Sequence, residues 1–493
     1  MKQGTAVSYS AIMLLLSIVR VQGFSASTAR TTATRTSRRI VLPHRQTRLL
    51  ATTTTSSTSS STSTSTHDLL DPIRTAWTER ETDGILDLVQ QETVRLSAVS
   101  PTDLVQTSVQ ALGSKGASNK NKKGNKGKIA AVLNAWIGSC SLLTDAPFAA
   151  DYASQLLQAY DDLSDNNENE NSSSNKAPVP DMVALCLAYN SLIKSPAHQS
   201  KAEDVLERAV RTSKKAAGSR RRKALVAARR KPFTNNLLSD MTALTELQRL
   251  IPKAQVLTET DDYIAVHKPA GVACYFSQTT TAGKISKKRK TAPTQQQDVS
   301  LQDALLHINV PLSTLNDEAL GLVHRLDRGT AGCMLWAKTE HFHALAVSAF
   351  FLRQAQKTYT TLVAPTTDGN TVLDTSPQGD IDLPVDGRPA QSSYKVLERY
   401  GSAAARLELQ TWTGRKHQVR VHCAKALSCP VLWDDAYGDA STSFPAWSLP
   451  DERNRQRFFL HASKLSIPLL DVHAEAPLPS WWTPVLEKAQ TAI

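Results

Sequence analysis

The chain has 493 residues, a formal net charge of +12 and an isoelectric point near 9.4. This surplus of positive charge favours a polyanionic partner such as nucleic acid or an anionic membrane surface. Its six cysteines are scattered without a CxxC pair, which argues against both a disulfide framework and a zinc ribbon and for a reducing compartment.

The first 67 residues are typical of a targeting leader and are excluded from the predicted fold. The run AIMLLLSIV (11–19) is too short to span a bilayer comfortably and indicates the core of a signal peptide. The Ser-, Thr- and Arg-rich stretch that follows has no acidic residue before Asp68, as in transit peptides. A signal peptide joined at Phe24 to a transit peptide resembles the two-part leaders of proteins sent to complex plastids of algae. We therefore predict a plastid protein, with a mitochondrial presequence and disordered tail as the alternative.

Residues 68–212 are predicted to be helical, because their apolar residues recur three and four positions apart. In SPTDLVQTSVQALG, Ser100 or Thr102 can cap the helix and Gly113 can end it. Two polar stretches interrupt the pattern and are predicted to be a linker (114–128) and a disordered loop (164–180).

Two helical hairpins within residues 128–212 repeat the same order of helix, short loop and helix. Their second helices, YASQLLQAY and KAEDVLERA, align Ala153 with Ala202 and Leu157 with Leu206, which predicts a small solenoid. The sequence VPDMVALCLAYNSLIKS…KAEDVLERAV resembles a pentatricopeptide repeat, a helical hairpin whose arrays bind single-stranded RNA. An ordinary helical domain is the alternative, since stable arrays usually need three or more repeats.

Residues 213–250 are predicted to form a basic linker. The densest positive run in the chain, RTSKKAAGSRRRKALVAARRKP, extends from Arg211 to Pro232. It is either a solvated charged surface or an arm that follows RNA phosphates. In the second case each neutralised phosphate would make binding more dependent on salt.

Residues 251–493 are predicted to form an α+β domain with a mixed or mostly antiparallel sheet. Short β-branched and aromatic runs predict strands in VLTETDDYIAVHKPAGVACY, RLELQTW, HQVRVHCA, CPVLW and SKLSIP. Helices are predicted at LQDALLHI and TEHFHALAVSAFFLRQ. The basic stretch 277–300 has no periodicity, so we expect a disordered insertion there.

The motif HRLDRGTAG surrounds one carboxylate, Asp327, with two arginines and a histidine. Nearby cations favour the charged form of a carboxylate, which suits a nucleophile and disfavours a general acid. Taken alone, the motif is explained as well by an aspartate that caps a turn between solvated arginines.

Further segments favour the interpretation of Asp327 as a nucleophile. They are DDYIAVHKPAGV, QKTYTTLV, GRKHQVRVHCA…CPVLWDDAYG and FFLHASKLSIP. In this order and at this spacing they resemble the RluA-type pseudouridine synthases over about residues 255–485. The resemblance implies the pseudouridine synthase fold, in which a cleft crosses a long mixed sheet, here preceded by the helical hairpins. It also implies isomerisation of uridine to pseudouridine in structured RNA, with no cofactor and no metal.

The resemblance assigns three catalytic residues. Asp327 matches the aspartate that attacks the uridine and lets the base detach, turn and rejoin through carbon. Tyr359 matches the tyrosine that stacks on the base and is a candidate for deprotonating the product carbon. Arg420 matches the basic residue that pairs with the aspartate.

Four further residues are predicted to bind the substrate. Arg325 matches an arginine that helps to displace the target nucleotide from its stack, and Thr330 matches the turn behind the aspartate. Arg415 and His417 belong to the matching segment GRKHQVRVH. Flipping a base out of its stack requires roughly a few kcal/mol. A stacking aromatic side chain offsets part of that, by about 1–3 kcal/mol per base.

The chain departs from the family pattern at three places. Ala331 replaces a serine, Trp433 replaces a glycine, and the HP pair usual after the last strand is missing around Pro468. None of these changes removes a predicted catalytic group, so we expect activity. An inactive RNA-binding or assembly factor with a degenerate synthase domain is the alternative. A hydrolase using Asp327 is a third interpretation, although it needs a partner acid about 5–9 Å away, which the motifs do not supply.

RNA is the predicted partner, and we expect a monomer without a stable membrane anchor once the leader is removed. No metal site is predicted, because His417 and His422 lie five apart on a predicted strand and would point to opposite faces. The leaving base is recaptured and not discarded to water, so the implied chemistry requires no second carboxylate.

Overall fold

The computed structural model describes most of the chain after residue 98. The described residues are 99–113, 122–169, 179–218, 250–251, 254–275, 299–317, 319–364, 372–401, 404–438 and 457–491. The predicted leader and most of the predicted basic linker and basic insertion lie outside them. Among the helices in these ranges, none is long and apolar enough to cross a membrane.

Ten α-helices lie within the described residues. They are α1 (Pro101–Gly113), α2 (Lys122–Cys140), α3 (Ala146–Asn169), α4 (Met182–Leu192), α5 (Gln199–Gly218), α6 (Leu301–His307), α7 (Glu340–Phe351), α8 (Val372–Thr375), α9 (Gln418–Lys425) and α10 (Thr483–Thr491). Helix α1 starts as predicted, since Ser100 Oγ accepts a hydrogen bond from the Asp103 N–H at 3.2 Å, and Gly113 is its last described residue.

Three helices extend into stretches that were predicted to be polar linkers or loops. Helix α2 begins at Lys122, α3 continues to Asn169, and α5 continues to Gly218. Helix nucleation is unfavourable, but each residue added to a formed helix gains a backbone hydrogen bond. Polar composition alone therefore does not end a helix whose other turns are fixed by buried residues.

The N-terminal helices pack directly on the domain that follows. Leu187 of α4 is fully buried in one hydrophobic cluster together with Ala344 of α7 and Leu352. Ser348 Oγ, also on α7, donates to the Cys186 carbonyl at 3.0 Å. The helical hairpins and the sheet domain therefore share a core.

We expect Leu187→Ala to lower the free energy of unfolding by about 2–5 kcal/mol, because a buried leucine is lost and a cavity remains. If the shared core couples the two regions, urea should unfold the variant in one transition, at a lower midpoint. Leu469→Ala is the matched control, because Leu469 is 70% exposed, and its midpoint should hardly move. Two separate transitions, with only the first shifted, would contradict this coupling.

Nine strands within the described residues form one sheet in the order β1-β2-β3-β8-β4-β7-β6-β5, with β9 paired to β8. They are β1 (Val256–Glu259), β2 (Tyr263–Lys268), β3 (Ala331–Ala337), β4 (Gln356–Val363), β5 (Gln378–Asp382), β6 (Gln391–Tyr400), β7 (Ala404–Thr411), β8 (Leu460–Ile467) and β9 (Val472–Glu475). Strands β3 and β8 are parallel, and the other pairs are antiparallel. The prediction of a long mixed sheet is confirmed.

Two predicted strands are not strands. HQVRVHCA forms α9, in which Val419 and Cys423 lie one turn apart against the sheet core while Val421 packs with Val385 in a different cluster. A strand would have placed all three on one face, so burial on two sides favours the helix. CPVLW is a turn with one isolated bridge, between Val431 and Val363.

A row across three strands connects the two halves of the sheet. Gly332 of β3 pairs with Ala462 of β8, and Ala462 pairs with Tyr359 of β4. A Cβ on Gly332, whose φ is +122°, would lie 2.2 Å from the Ala462 carbonyl oxygen, so only glycine fits. This close approach leaves β8 alone between β3, which follows the Asp327 loop, and β4, which carries Tyr359.

Candidate active site

A cleft of about 520 Å³ lies where the loop containing Asp327 approaches α9 and the segment after it. Its walls come from five segments of the chain. The lining residues are 273–275, 325–329, His417, Arg420, 433–436 and Phe458.

Buried hydrogen bonds hold the Asp327 loop in place. Lys268, which is fully buried, donates from Nζ to three backbone carbonyls, including that of Arg328 at 3.1 Å. The Gly271 N–H donates to the Arg328 carbonyl and Arg328 Nε donates to the Gly271 carbonyl, both at 2.8 Å. The buried Thr330 donates its N–H to the Asp327 carbonyl at 3.1 Å. These contacts orient the Asp327 carboxylate before any substrate arrives.

Arg420 holds two carboxylates at once. Its Nη1 donates to Asp327 Oδ2 at 3.1 Å, while Nε and Nη2 donate to the two oxygens of Asp434 at 2.7 Å each. The Asp434 side chain is 1% exposed, whereas that of Asp327 is 22% exposed to the cleft. The bidentate pair with Asp434 therefore fixes the guanidinium, which in turn presents its third donor to Asp327.

Aromatic rings and charges stabilise the Arg420 cation. Its Cζ lies 4.4 Å from the ring centroid of Phe458 and 5.0 Å from that of Tyr437. Burial disfavours the charged form, but the hydrogen bonds to Asp434 and Asp327 outweigh burial and raise the pKa of Arg420. Arg420 therefore remains a cation, so Asp327 has a permanent positive partner.

His417 completes the contacts of the carboxylate. It precedes α9 with a left-handed backbone (φ +59°), and its Nε2 lies 3.6 Å from Asp327 Oδ1. Its Nδ1 is 2.9 Å from the Tyr437 hydroxyl. Burial lowers the pKa of His417 despite the opposing effect of Asp327, so its ring is neutral at neutral pH.

Tyr359 lies half-buried on β4, between two hydrophobic clusters of the sheet domain. The register of β4 against β8 shifts between Thr358 and Tyr359, and such bulges often redirect a side chain near an active site. Burial and then the charge of Asp327 raise the pKa of Tyr359 to about 12, with an opposing hydrogen bond from Thr411. The phenol is therefore neutral, and it is not among the residues that line the cleft.

The other predicted binding residues occupy different surroundings. Arg325 is exposed at the cleft, and Thr330 lies behind it in the loop turn. Arg415 lies outside the cleft lining, where its Nε donates to the Pro389 carbonyl at 2.8 Å. The geometry thus brings Asp327, Arg420 and His417 together and gives Arg415 a contact that supports the fold.

His422 lies on α9 and not on a strand, which corrects the geometry used to argue against a shared metal site with His417. It is fully buried, with Nδ1 3.0 Å from Ser392 Oγ and Nε2 2.9 Å from the Leu383 carbonyl. Across the described part of the chain, no group of three or more His, Cys, Asp or Glu side chains is arranged to hold a metal ion.

Sequence reasoning placed neither Asp434 nor Trp433 in the cleft, although it named Trp433 as a departure from the family pattern. Asp434 was given no role, although a carboxylate 14 residues after a predicted catalytic arginine, within the same family segment, was a usable signal. Trp433 has φ +65°, a backbone conformation that costs an L-residue about 1–2 kcal/mol. Its ring packs on Phe459 (centroids 4.5 Å apart) and lies nearly parallel to Trp481 (6.0 Å, 13°), which offsets that strain.

The sequence of the sheet domain is similar to those of known proteins. The family model of RNA pseudouridylate synthases matches residues 262–425. An uncharacterized RNA pseudouridine synthase of Zymomonas mobilis is 33% identical over 181 residues, covering 33% of this chain and 74% of that protein. One of Aquifex aeolicus is 32% identical over 206 residues, covering 38% and 58%.

A plant relative is similar over a shorter stretch. RNA pseudouridine synthase 2, chloroplastic, of Arabidopsis thaliana is 35% identical over 154 residues, covering 27% of this chain and 34% of that protein. The chain thus spans less than two thirds of the Aquifex and Arabidopsis proteins. Together with the Zymomonas match and the mixed sheet, the family match shows that the chain belongs to the RNA pseudouridine synthases of the RluA type.

Proposed function

We propose that the protein isomerises uridine to pseudouridine in structured RNA, with Asp327 as the nucleophile. The observation that carries the proposal is the Asp327 carboxylate, held by Arg420 at 3.1 Å in a cleft of about 520 Å³. That volume lies within the range of about 300–1,000 Å³ that is typical of small-molecule pockets. An extruded uridine can therefore enter it, as bases do in enzymes that act on flipped nucleotides.

In the proposed reaction Asp327 attacks the extruded nucleotide and the bond between N1 of the base and C1′ of the ribose breaks. The base turns, its C5 bonds to C1′, and the bond to Asp327 breaks, which returns the free carboxylate. The proton on C5 leaves as N1 takes one up, so no atom is gained or lost. Arg420 and the buried loop contacts keep the carboxylate oriented throughout, which lowers the barrier by preorganisation. Exposed Arg325 helps to displace the target nucleotide from its stack.

Tyr359 acts in this proposal as a neutral phenol against which the base stacks. At pH 8 a group whose pKa is about 12 is ionised in about one molecule in 10⁴, so the phenolate is a scarce base. The side chain therefore contributes mainly through stacking and positioning.

We expect Tyr359→Phe to keep the stacking surface and to reduce the rate by a factor that is the same from pH 6.5 to pH 9. Single-turnover rates of pseudouridine formation by the two proteins across this range would test it. A wild-type rate that rises about tenfold per pH unit relative to the variant would show that the phenolate is the base, contrary to the expectation.

The direct test is to incubate the purified protein with organellar RNA and to map pseudouridine, with the Asp327→Asn protein as the matched control. Product from the wild type and none from the variant is expected. Release of free uracil would identify a hydrolase instead, and tight RNA binding without modification would identify an assembly factor.

The geometry disfavours both alternatives. A hydrolase needs a second acid, and buried Asp434 does not supply it, because both of its oxygens are engaged by Arg420. The assembly-factor hypothesis rests on Ala331 and Trp433. Ala331 is buried in β3 opposite His461, and neither residue displaces Asp327 or Arg420 from their contact.

We also propose that the protein engages RNA as a monomer, with the basic run 211–232 adding phosphate contacts. The net charge of +12 supports an electrostatic contribution of this kind. Replacing the lysines and arginines of the run with serine should reduce the salt dependence of RNA binding. Light scattering during size-exclusion chromatography would measure the oligomeric state, and a dimer would contradict the proposal.

We infer that residues 1–67 direct the protein to plastids, with mitochondria as the alternative. The composition of the leader and the chloroplastic name of the Arabidopsis relative support this inference. Residues 1–67 fused to a fluorescent reporter should enter plastids. Accumulation in mitochondria would favour the alternative, and retention in the cytosol would exclude both.

A further inference from the structure

Trp433 is a large side chain on a left-handed backbone at the wall of the cleft, with φ +65°. It directly precedes Asp434, the carboxylate that fixes Arg420. Bulky residues keep this backbone conformation only where surrounding contacts hold it in place. Such strained residues are found most often at functional sites. A glycine would adopt the same backbone conformation without strain.

The indole of Trp433 is held from behind by other aromatic rings. Trp481 lies nearly parallel to it at 6.0 Å, and Phe459 is tilted against it at 4.5 Å. Trp481 is itself placed by its neighbour Trp482, which is fully buried just before α10. The indole is thus rigid, and its half-buried surface contributes to the wall of the cleft.

The surroundings of this surface suit RNA. Asp435 and Ala436, the next lining residues, are exposed, so the cleft is open to solvent at this end. Exposed Arg325 adds a cation to the same cleft, as a phosphate chain requires. With Tyr359 assigned to the target uridine, the indole is a second aromatic surface available to a second base.

We propose that Trp433 is a stacking platform for a nucleotide next to the extruded uridine and thereby influences which RNA sites are accepted. This inference rests on the proposed function, because the cleft must receive RNA. Aromatic stacking of this kind tolerates every base, since each base has a π-face, and differs among bases in strength. Trp433 therefore acts on substrate choice through affinity, not on the bond changes at Asp327.

The test uses a 15-nucleotide RNA of cytidines with one central uridine. A single 2-aminopurine replaces the cytidine at each position flanking the uridine in turn. All proteins carry Asp327→Asn so that the uridine is not converted. Stacking quenches 2-aminopurine fluorescence, so we expect quenching at one flanking position. Trp433→Gly should abolish that quenching and weaken binding about tenfold, within the range for a lost base–aromatic stack.

Two variants separate stacking from loss of structure. Trp433→Phe keeps an aromatic ring and should retain quenching, while Leu469→Ala changes an exposed residue outside the cleft lining and should bind like the parent protein. With Asp327 restored, Trp433→Gly should raise KM more than it lowers kcat. The substrate in this assay is the RNA in which pseudouridine was mapped.

Equal quenching and affinity in the parent protein and Trp433→Gly would overturn the inference, as would the lack of quenching at every flanking position. Failure of this inference is distinguishable from failure of the proposed function. A wild-type protein that quenches 2-aminopurine through Trp433 but forms no pseudouridine would refute the reaction and leave the stacking platform intact.

Discussion

Asp327→Asn is expected to abolish pseudouridine formation, with the single-turnover rate falling by at least about 10⁴-fold, as for other enzymes that lose their nucleophile. Asparagine has almost the same shape, and its side-chain oxygen can still accept the hydrogen bond that Arg420 donates at 3.1 Å. Its amide is not a nucleophile, however, so the covalent step cannot begin. The effect is therefore on the chemistry and not on the shape of the cleft.

Two further measurements locate the defect of this variant. The RNA affinity and the urea unfolding midpoint should remain close to those of the wild type, because Arg420 keeps both bonds to Asp434. Asp380→Asn, at an exposed position of β5, is the matched control and should retain activity. A rate for Asp327→Asn above roughly 1% of wild type would rule out this carboxylate as the nucleophile.

Arg420→Ala is expected to lower the free energy of unfolding by about 3–5 kcal/mol, because the buried Asp434 carboxylate would lose its partner. Activity should fall as well, since Asp327 would lose the donor that orients it, by on the order of 10²-fold or more. Urea denaturation and single-turnover rates measure the two effects separately. Lys464→Ala, in an exposed pair with Glu475, is the control and should cost less than about 1 kcal/mol.

A double variant tests whether the stability loss arises from the unpaired charge. Adding Asp434→Asn to Arg420→Ala removes the buried charge and should recover part of the lost stability, but none of the lost activity. If the double variant is as unstable as the sum of its two single variants, the bidentate pair is not the source of the effect.

Local signals in the sequence predicted local structure well. The start of α1 needs only Ser100 and the Asp103 N–H three residues later. The strand–turn patterns and the family motifs likewise predicted the mixed sheet and the segments that carry Asp327, Tyr359 and Arg420. Their roles in the reaction stay predictions until the variants are measured.

Features that depend on distant contacts were not predicted. The segment HQVRVHCA has the alternation of a strand, yet it forms α9, because Val419 and Cys423 are buried on one side and Val421 on another. Helix ends at Lys122 and Asn169 were misplaced because composition does not report where packing still supports a helix. Propensity is a weak preference that tertiary burial overrides.

The sequence by itself determined the family, the mixed sheet and the chain segments from which the cleft is built, since these follow from short motifs and their order. Only the tertiary structure decided that the Arg420 guanidinium donates hydrogen bonds to both Asp434 and Asp327. It also decided that Trp481, near the C-terminal end of the chain, stacks on Trp433. The physical reason is range: a cap or a turn is specified within a few residues, whereas an ion pair or an aromatic stack depends on the whole fold to bring its partners together.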